Sequence, residues 1–164
     1  MAEILRALSH PFPQLKSLKF CHGPMYKHPI SGLDYDYEGK LILPAMLLSG
    51  SAPCLRQLTL KGVVLSCLSP LLSSTMGLIE LFLTLITLLP EALLLPNLQC
   101  MSCLCCLELY LKYQPFTMTL VLPTYTGDVV SLSKFTPLIF MGDRLYLQEF
   151  VVGLATPSLQ HVDV

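Results

Sequence analysis

The sequence predicts an α/β fold in which short parallel strands, one from each of several repeated units, share a single buried layer. Two observations carry that expectation. A leucine-spaced hexad recurs along the 164 residues, and apolar stretches of helical character separate most of its copies. Composition agrees: 53% of residues are hydrophobic, only 13% are charged and the mean hydropathy is +0.63, so much of the chain needs a neighbour to bury against.

In the hexad, an apolar residue is followed by two others, an apolar residue, one other and a further apolar residue. It reads LKSLKF (Leu15, Leu18, Phe20), LRQLTL (Leu55, Leu58, Leu60), LIELFL (Leu78, Leu81, Leu83) and LCCLEL (Leu104, Leu107, Leu109). Weaker copies are FTPLIF (Phe135, Leu138, Phe140) and LQHVDV (Leu159, Val162, Val164). Their starts are 40, 23, 26, 31 and 24 residues apart. Three of those intervals fall within the roughly 20–29 residues of a leucine-rich repeat. Several copies share a lead-in, as in FPQLKSL, APCLRQL and TPSLQHV.

Alternation along a strand points the hexad leucines to one side. One unit cannot bury that side alone, so neighbours stack. The expected architecture is an irregular leucine-rich-repeat solenoid, with parallel strands on the concave face and helices and turns on the convex face. The whole chain reads as a single such domain. Helical character is expected over 41–49, 65–76, 90–101 and 145–155. Pro13, Pro53 and Pro157 stand just before strands, where a fixed φ and a missing N–H stop a preceding helix without damaging the ladder. The two long intervals require loop insertions at about 21–40 and 111–133, the second with a hairpin or extra strand over 117–122.

The stretch 52–83, APCLRQLTLKGVVLSCLSPLLSSTMGLIELFL, resembles the leucine-rich tails of fungal F-box-type proteins, as do FPQLKSLKF and ATPSLQHVDV. The resemblance covers most of the chain and rests mainly on leucine spacing. It implies the substrate-holding part of a ubiquitin-ligase receptor. No F-box-like helical segment is read in this chain, so a ligase adaptor is an expected partner only where an F-box lies outside it. Regular repeats carry Asn or Cys at the turn after the strand. Here the matching residues are Gly23, Val63, Ile86, Lys112 and Asp143, so a loosely regular arc is expected. With a strand-like copy running to Val164 and no polar capping unit, the sequence reads as a fragment.

Other chemistry finds little support. Cys100, Cys103, Cys105 and Cys106 contain half of a zinc knuckle without the second half, and Cys21, His22 and His28 match no common zinc spacing. No metal or cofactor is expected. There is no Gly-x-Ser-x-Gly elbow and no GxxxxGK or GxGxxG loop, while His161 and Asp163 share a strand face without an assigned nucleophile. An enzyme is not expected. Net charge is −1 with scattered cations, unlike the basic stripe of a nucleic-acid binder. Asp34, Asp36 and Glu38 form an acidic run in a tyrosine-containing loop, which reads as a solvated segment, with an acidic contact patch or weak cation binding as alternatives.

The most apolar stretch, 77–95, is interrupted by Glu80, Pro90 and Glu91, so a membrane span is not expected. The start, with Glu3, Pro11 and Pro13, lacks a signal-peptide layout. Seven cysteines, an odd number, fit a reducing compartment, cytoplasm or nucleus.

If the hexads are strands, the residues between the leucines face the concave side: Ser17, Lys19, Gln57, Thr59, Lys61, Glu80, Phe82, Thr84, Cys106, Glu108, Tyr110, Ile139, Met141, His161 and Asp163. Among them Gln57, Thr59, Glu80, Phe82, Glu108, Tyr110, Ile139 and Met141 form the candidate protein-binding surface, an aromatic and aliphatic strip beside charges. The expected function is a protein-binding module of unidentified partner. The alternatives are an incomplete structural fragment and, further off, a membrane-associated protein.

Overall fold

The computed structural model describes residues 2–22, 41–65, 68–88, 95–98, 100–111, 130–141 and 144–163. Six strands build its main sheet: β1 (Ser17–Cys21), β3 (Gln57–Lys61), β5 (Glu80–Leu88), β6 (Cys106–Leu111), β8 (Pro137–Met141) and β10 (His161–Asp163). They lie side by side in that order, every pair parallel. Strand order follows chain order, so the sheet never doubles back. The protein is α/β, with a six-stranded parallel sheet and few helices.

Each strand is a hexad, and the hexads are in register. Leu18 stands opposite Leu58, then Leu81, Leu107, Leu138 and Val162. Because alternate residues face opposite sides, this register stacks leucine on leucine. The apolar hexad positions of β3, β5, β6 and β8 are all buried, from Leu55 through Phe140, whereas those of β1 are only half-buried. The interior strands are therefore the core, and the row opens towards both ends.

One turn is repeated before each of these six strands. The N–H of Leu15 donates to the Phe12 carbonyl, and the same three-residue step recurs at Leu55–Ala52, Leu78–Thr75, Leu104–Met101, Phe135–Leu132 and Leu159–Thr156. Pro13, Pro53 and Pro157 take the second place of this turn, where a fixed φ suits it. Met76, Ser102 and Ser133 take the same place in the other units, so the turn does not depend on proline. Its first residue faces inward where the sheet is thickest: Ala52, Thr75, Met101 and Leu132 are buried.

The connecting segments correct part of the helical expectation. Helices form at α1 (Ala2–Ala7), α2 (Ser69–Ser74), α3 (Leu95–Leu98) and α4 (Arg144–Val152). The segment 41–49 is instead a strand, β2 (Leu41–Leu43), followed by a 3-10 turn over Leu47–Gly50. Leu48 and Ser49 sit in the left-handed region, with φ 55° and 54°. The turn that follows α1 offsets that strain: Leu48 N–H donates to the Leu8 carbonyl, Ser49 Oγ donates to the Ser9 carbonyl, and the Leu48 side chain is buried.

β2 pairs with β4 (Val63–Leu65), and β4 pairs with the distal half of β5, giving a short second parallel ladder. Val63 and Ile86, two positions where a regular repeat carries Asn or Cys, are buried within these strands. Continued main-chain pairing does there what a side-chain amide would otherwise do. A two-residue pair, β7 (Val130–Ser131) with β9 (Leu154–Ala155), closes the last unit. Of the expected insertions, residues 23–40 and 112–129 lie outside the described residues, and so does the strand expected over 117–122.

Gly62 links β3 to β4 with φ +68°, and its N–H donates to the Thr84 carbonyl. A Cβ added there would collide with the His22 carbonyl. Gly62→Ala is expected to destabilise the protein by more than about 1 kcal/mol, the strain and the collision outweighing any gain from a stiffer unfolded chain. Leu81→Ala, which empties the centre of the sheet's apolar row, is expected to cost about 2–5 kcal/mol. Thr59→Ala on the opposite face should stay within about 0.5 kcal/mol. Urea unfolding of the three variants measures these differences.

Candidate functional site

The side of the sheet opposite the leucines is a lattice of side chains set by the same register. One row runs Ser17, Gln57, Glu80, Cys106, Pro137 and His161; the next runs Lys19, Thr59, Phe82, Glu108, Ile139 and Asp163. A third runs Cys21, Lys61, Thr84, Tyr110 and Met141. All eight candidate residues thus fall on one face. Gln57 and Met141 are exposed, and Thr59, Glu80, Phe82, Glu108, Tyr110 and Ile139 are half-buried by their neighbours.

The face is apolar at its centre and graded in charge. Phe82 and Ile139 flank Glu108 in the middle row, and Tyr110 and Met141 continue the apolar strip in the next. Lys19 and Lys61 lie towards the β1 side; Glu80, Glu108 and Asp163 lie on β5, β6 and β10. Glu80 Oε2 accepts a hydrogen bond of 3.1 Å from Gln57 Nε2, which orients it along the row.

Burial among these neighbours raises the Glu108 carboxyl above its ordinary value, with Lys61 pulling the other way. Burial also raises the Tyr110 phenol, aided by Glu108 and Asp163. The Cys106 thiol is raised first by burial, then by Glu80, Glu108 and Cys105. A thiol held protonated is a poor nucleophile and a poor metal ligand.

Cys103 lies in the turn before β6, where its carbonyl accepts from Cys105 Sγ at 3.4 Å, while Cys106 faces the open side and Cys100 is exposed. Among the described residues no group of three His, Cys, Asp or Glu side chains is placed to hold a metal ion. His28, Asp34, Asp36 and Glu38 lie outside them. Within the apolar stretch 77–95, Glu80–Leu88 form the strand β5, and no helix among the described residues is long and apolar enough to cross a membrane.

What holds this face in shape is a main-chain ladder along the strand entrances. The Lys16 carbonyl accepts two N–H groups, from Arg56 at 2.8 Å and Gln57 at 3.2 Å. The Arg56 carbonyl does the same for Ile79 and Glu80, Ile79 for Cys105 and Cys106, and Thr136 for Gln160 and His161. At the Cys105 carbonyl only Thr136 donates, because the next residue is Pro137 and has no N–H. Leucine spacing gives no sign of this ladder; it depends on backbone geometry, and the hexad's second residue varies from Lys to Ile to Thr. Searches against family models, curated proteins and solved structures find no match to this chain.

Since the folded protein holds the Glu108 proton more tightly than the unfolded chain, this group favours folding as pH falls through its raised value. That contribution is lost as pH climbs above it. Glu108→Gln is expected to melt higher than the parent at neutral pH, with the gap closing near pH 4, as thermal melts at the two pH values would register.

Proposed function

We propose that the chain is a leucine-rich-repeat solenoid that binds another protein across the open face of its sheet. The observation that carries this reading is the joint placement of Phe82, Tyr110, Ile139 and Met141 on the face away from the leucine core, beside Glu80, Glu108 and Lys61. Aromatic and aliphatic anchors amid polar groups are the composition of protein-binding hot spots. In-register hexads, the recurrent entrance turn and a strand order that follows chain order support the repeat reading.

The resemblance to F-box-type tails extends the proposal to the substrate-holding part of a ubiquitin-ligase receptor. The adaptor is a partner there only where an F-box lies outside this chain. Fold alone assigns no function, so the test must act on the face.

Glu80→Lys with Glu108→Lys is expected to weaken capture of the protein's cellular partners while the circular dichroism spectrum is kept and melting stays cooperative. Quantitative co-purification of both forms from the same cells provides the measurement. An unchanged partner set would move the binding surface elsewhere on the molecule.

A further inference from the structure

The two outer strands of the sheet, β1 and β10, match each other position by position as if one were the next strand after the other. At the first hexad position both carry half-buried leucines, Leu159 and Leu15. In the apolar row, Val162 is 49% exposed at one end and Leu18 is only half-buried at the other, while every residue between them is buried. On the open face, Asp163 ends the middle row and Lys19 begins it, both exposed.

The main chain matches too. The Gln160 carbonyl holds the next place in the ladder of double acceptors, and among the described residues no further hexad follows to donate to it. The Lys16 and Ser17 N–H groups hold the corresponding donor places, with no preceding hexad among the described residues to receive them.

We propose that this protein associates head to tail with a second copy of itself, β10 of one copy pairing in parallel with β1 of the next. In that register Val162 covers Leu18, and the carboxylate of Asp163 lies beside the ammonium of Lys19 as a cross-strand pair of opposite charge. The Gln160 carbonyl takes the Lys16 and Ser17 N–H groups and extends the ladder by one step.

The occupant is a second copy rather than an unrelated strand because charge, apolar position and hydrogen-bonding groups agree at one register. The interface joins two different surfaces, so it does not close on itself, and each added copy presents a fresh β10 edge. With only three residues in β10, the association is reversible and grows with concentration. It uses the sheet edges and stands apart from the open-face binding proposed above.

Sedimentation velocity and light scattering on the full chain over a concentration series test it. The parent protein should gain mass steadily with concentration, passing beyond a dimer, and lose that mass in high salt. Lys19→Asp alone and Asp163→Lys alone should each weaken association about tenfold, because each sets like charges side by side. An equal mixture of the two variants should recover it, since both interfaces then pair Asp with Lys. A parent that stays monomeric, or association indifferent to both single variants, or a mixture that fails to recover, would each overturn the proposal. Circular dichroism of the two variants, both altered at exposed positions, separates loss of association from loss of fold.

Discussion

The parallel register of the hexads is the constraint on which the other features depend. A one-residue slip at any strand would turn its leucines to the open side and its polar residues into the core. The carbonyl ladder at the strand entrances works against that slip, because each carbonyl from Lys16 to Thr136 receives the N–H of a fixed hexad position. Packing and hydrogen bonding select the same alignment, so stacked leucines and a paired backbone reinforce each other at every step. The entrance turn sets the phase: a first residue that is buried at the four interior strands, two turn residues and then a leucine or phenylalanine lead the chain into each strand of the main sheet.

Behind the sheet, regularity gives way without a loss of burial. α2 packs beside the turn over Leu47–Gly50, and its end is tied to the neighbouring unit by Ser74 Oγ, which donates to the Leu71 carbonyl and accepts from the Ala52 N–H. Thr75, although polar, is buried because its hydroxyl donates to the Leu72 carbonyl and ends the helix. The layer tolerates strands, a 3-10 turn and short helices in equivalent places because its requirement is to cover leucines and satisfy main-chain groups. Pattern matters less there than area and hydrogen bonding.

This contrast explains what was legible in the sequence. The six strands and the face carried by Gln57, Glu80, Phe82, Glu108 and Tyr110 follow from a spacing of two between apolar residues, which only a strand converts into one buried side. The helical reading of 41–49 failed because its apolar residues pack by tertiary contact: Leu43 and Leu47 are buried in different elements, and Leu48 needs a left-handed backbone that no propensity favours. The second ladder was hidden for a related reason, since Val63 to Leu65 are buried consecutively and such short apolar runs do not separate strand from helix. The position three residues before each hexad opens the shared lead-ins of three copies, but Phe, Ala, Thr, Met and Leu share no chemistry there, only a place in a turn.

Charge is sparse in this chain, and its placement on the sheet follows from geometry. The register leaves the hexad's third and fifth residues no access to the core, so Lys19, Glu80, Glu108 and Asp163 remain on the open side at little cost in stability. The Glu108 carboxyl is raised by burial, and Phe82 and Ile139 flank it in the row, apolar side chains that can keep water away but supply no hydrogen bonds. A cationic or hydrogen-bonding group arriving at that point would restore what those neighbours take away. The apolar pair that makes the carboxylate uncomfortable would in the same step gain cover. On the proposed binding role, a desolvated acid between two apolar side chains is therefore the part of the face where a partner would have most to contribute.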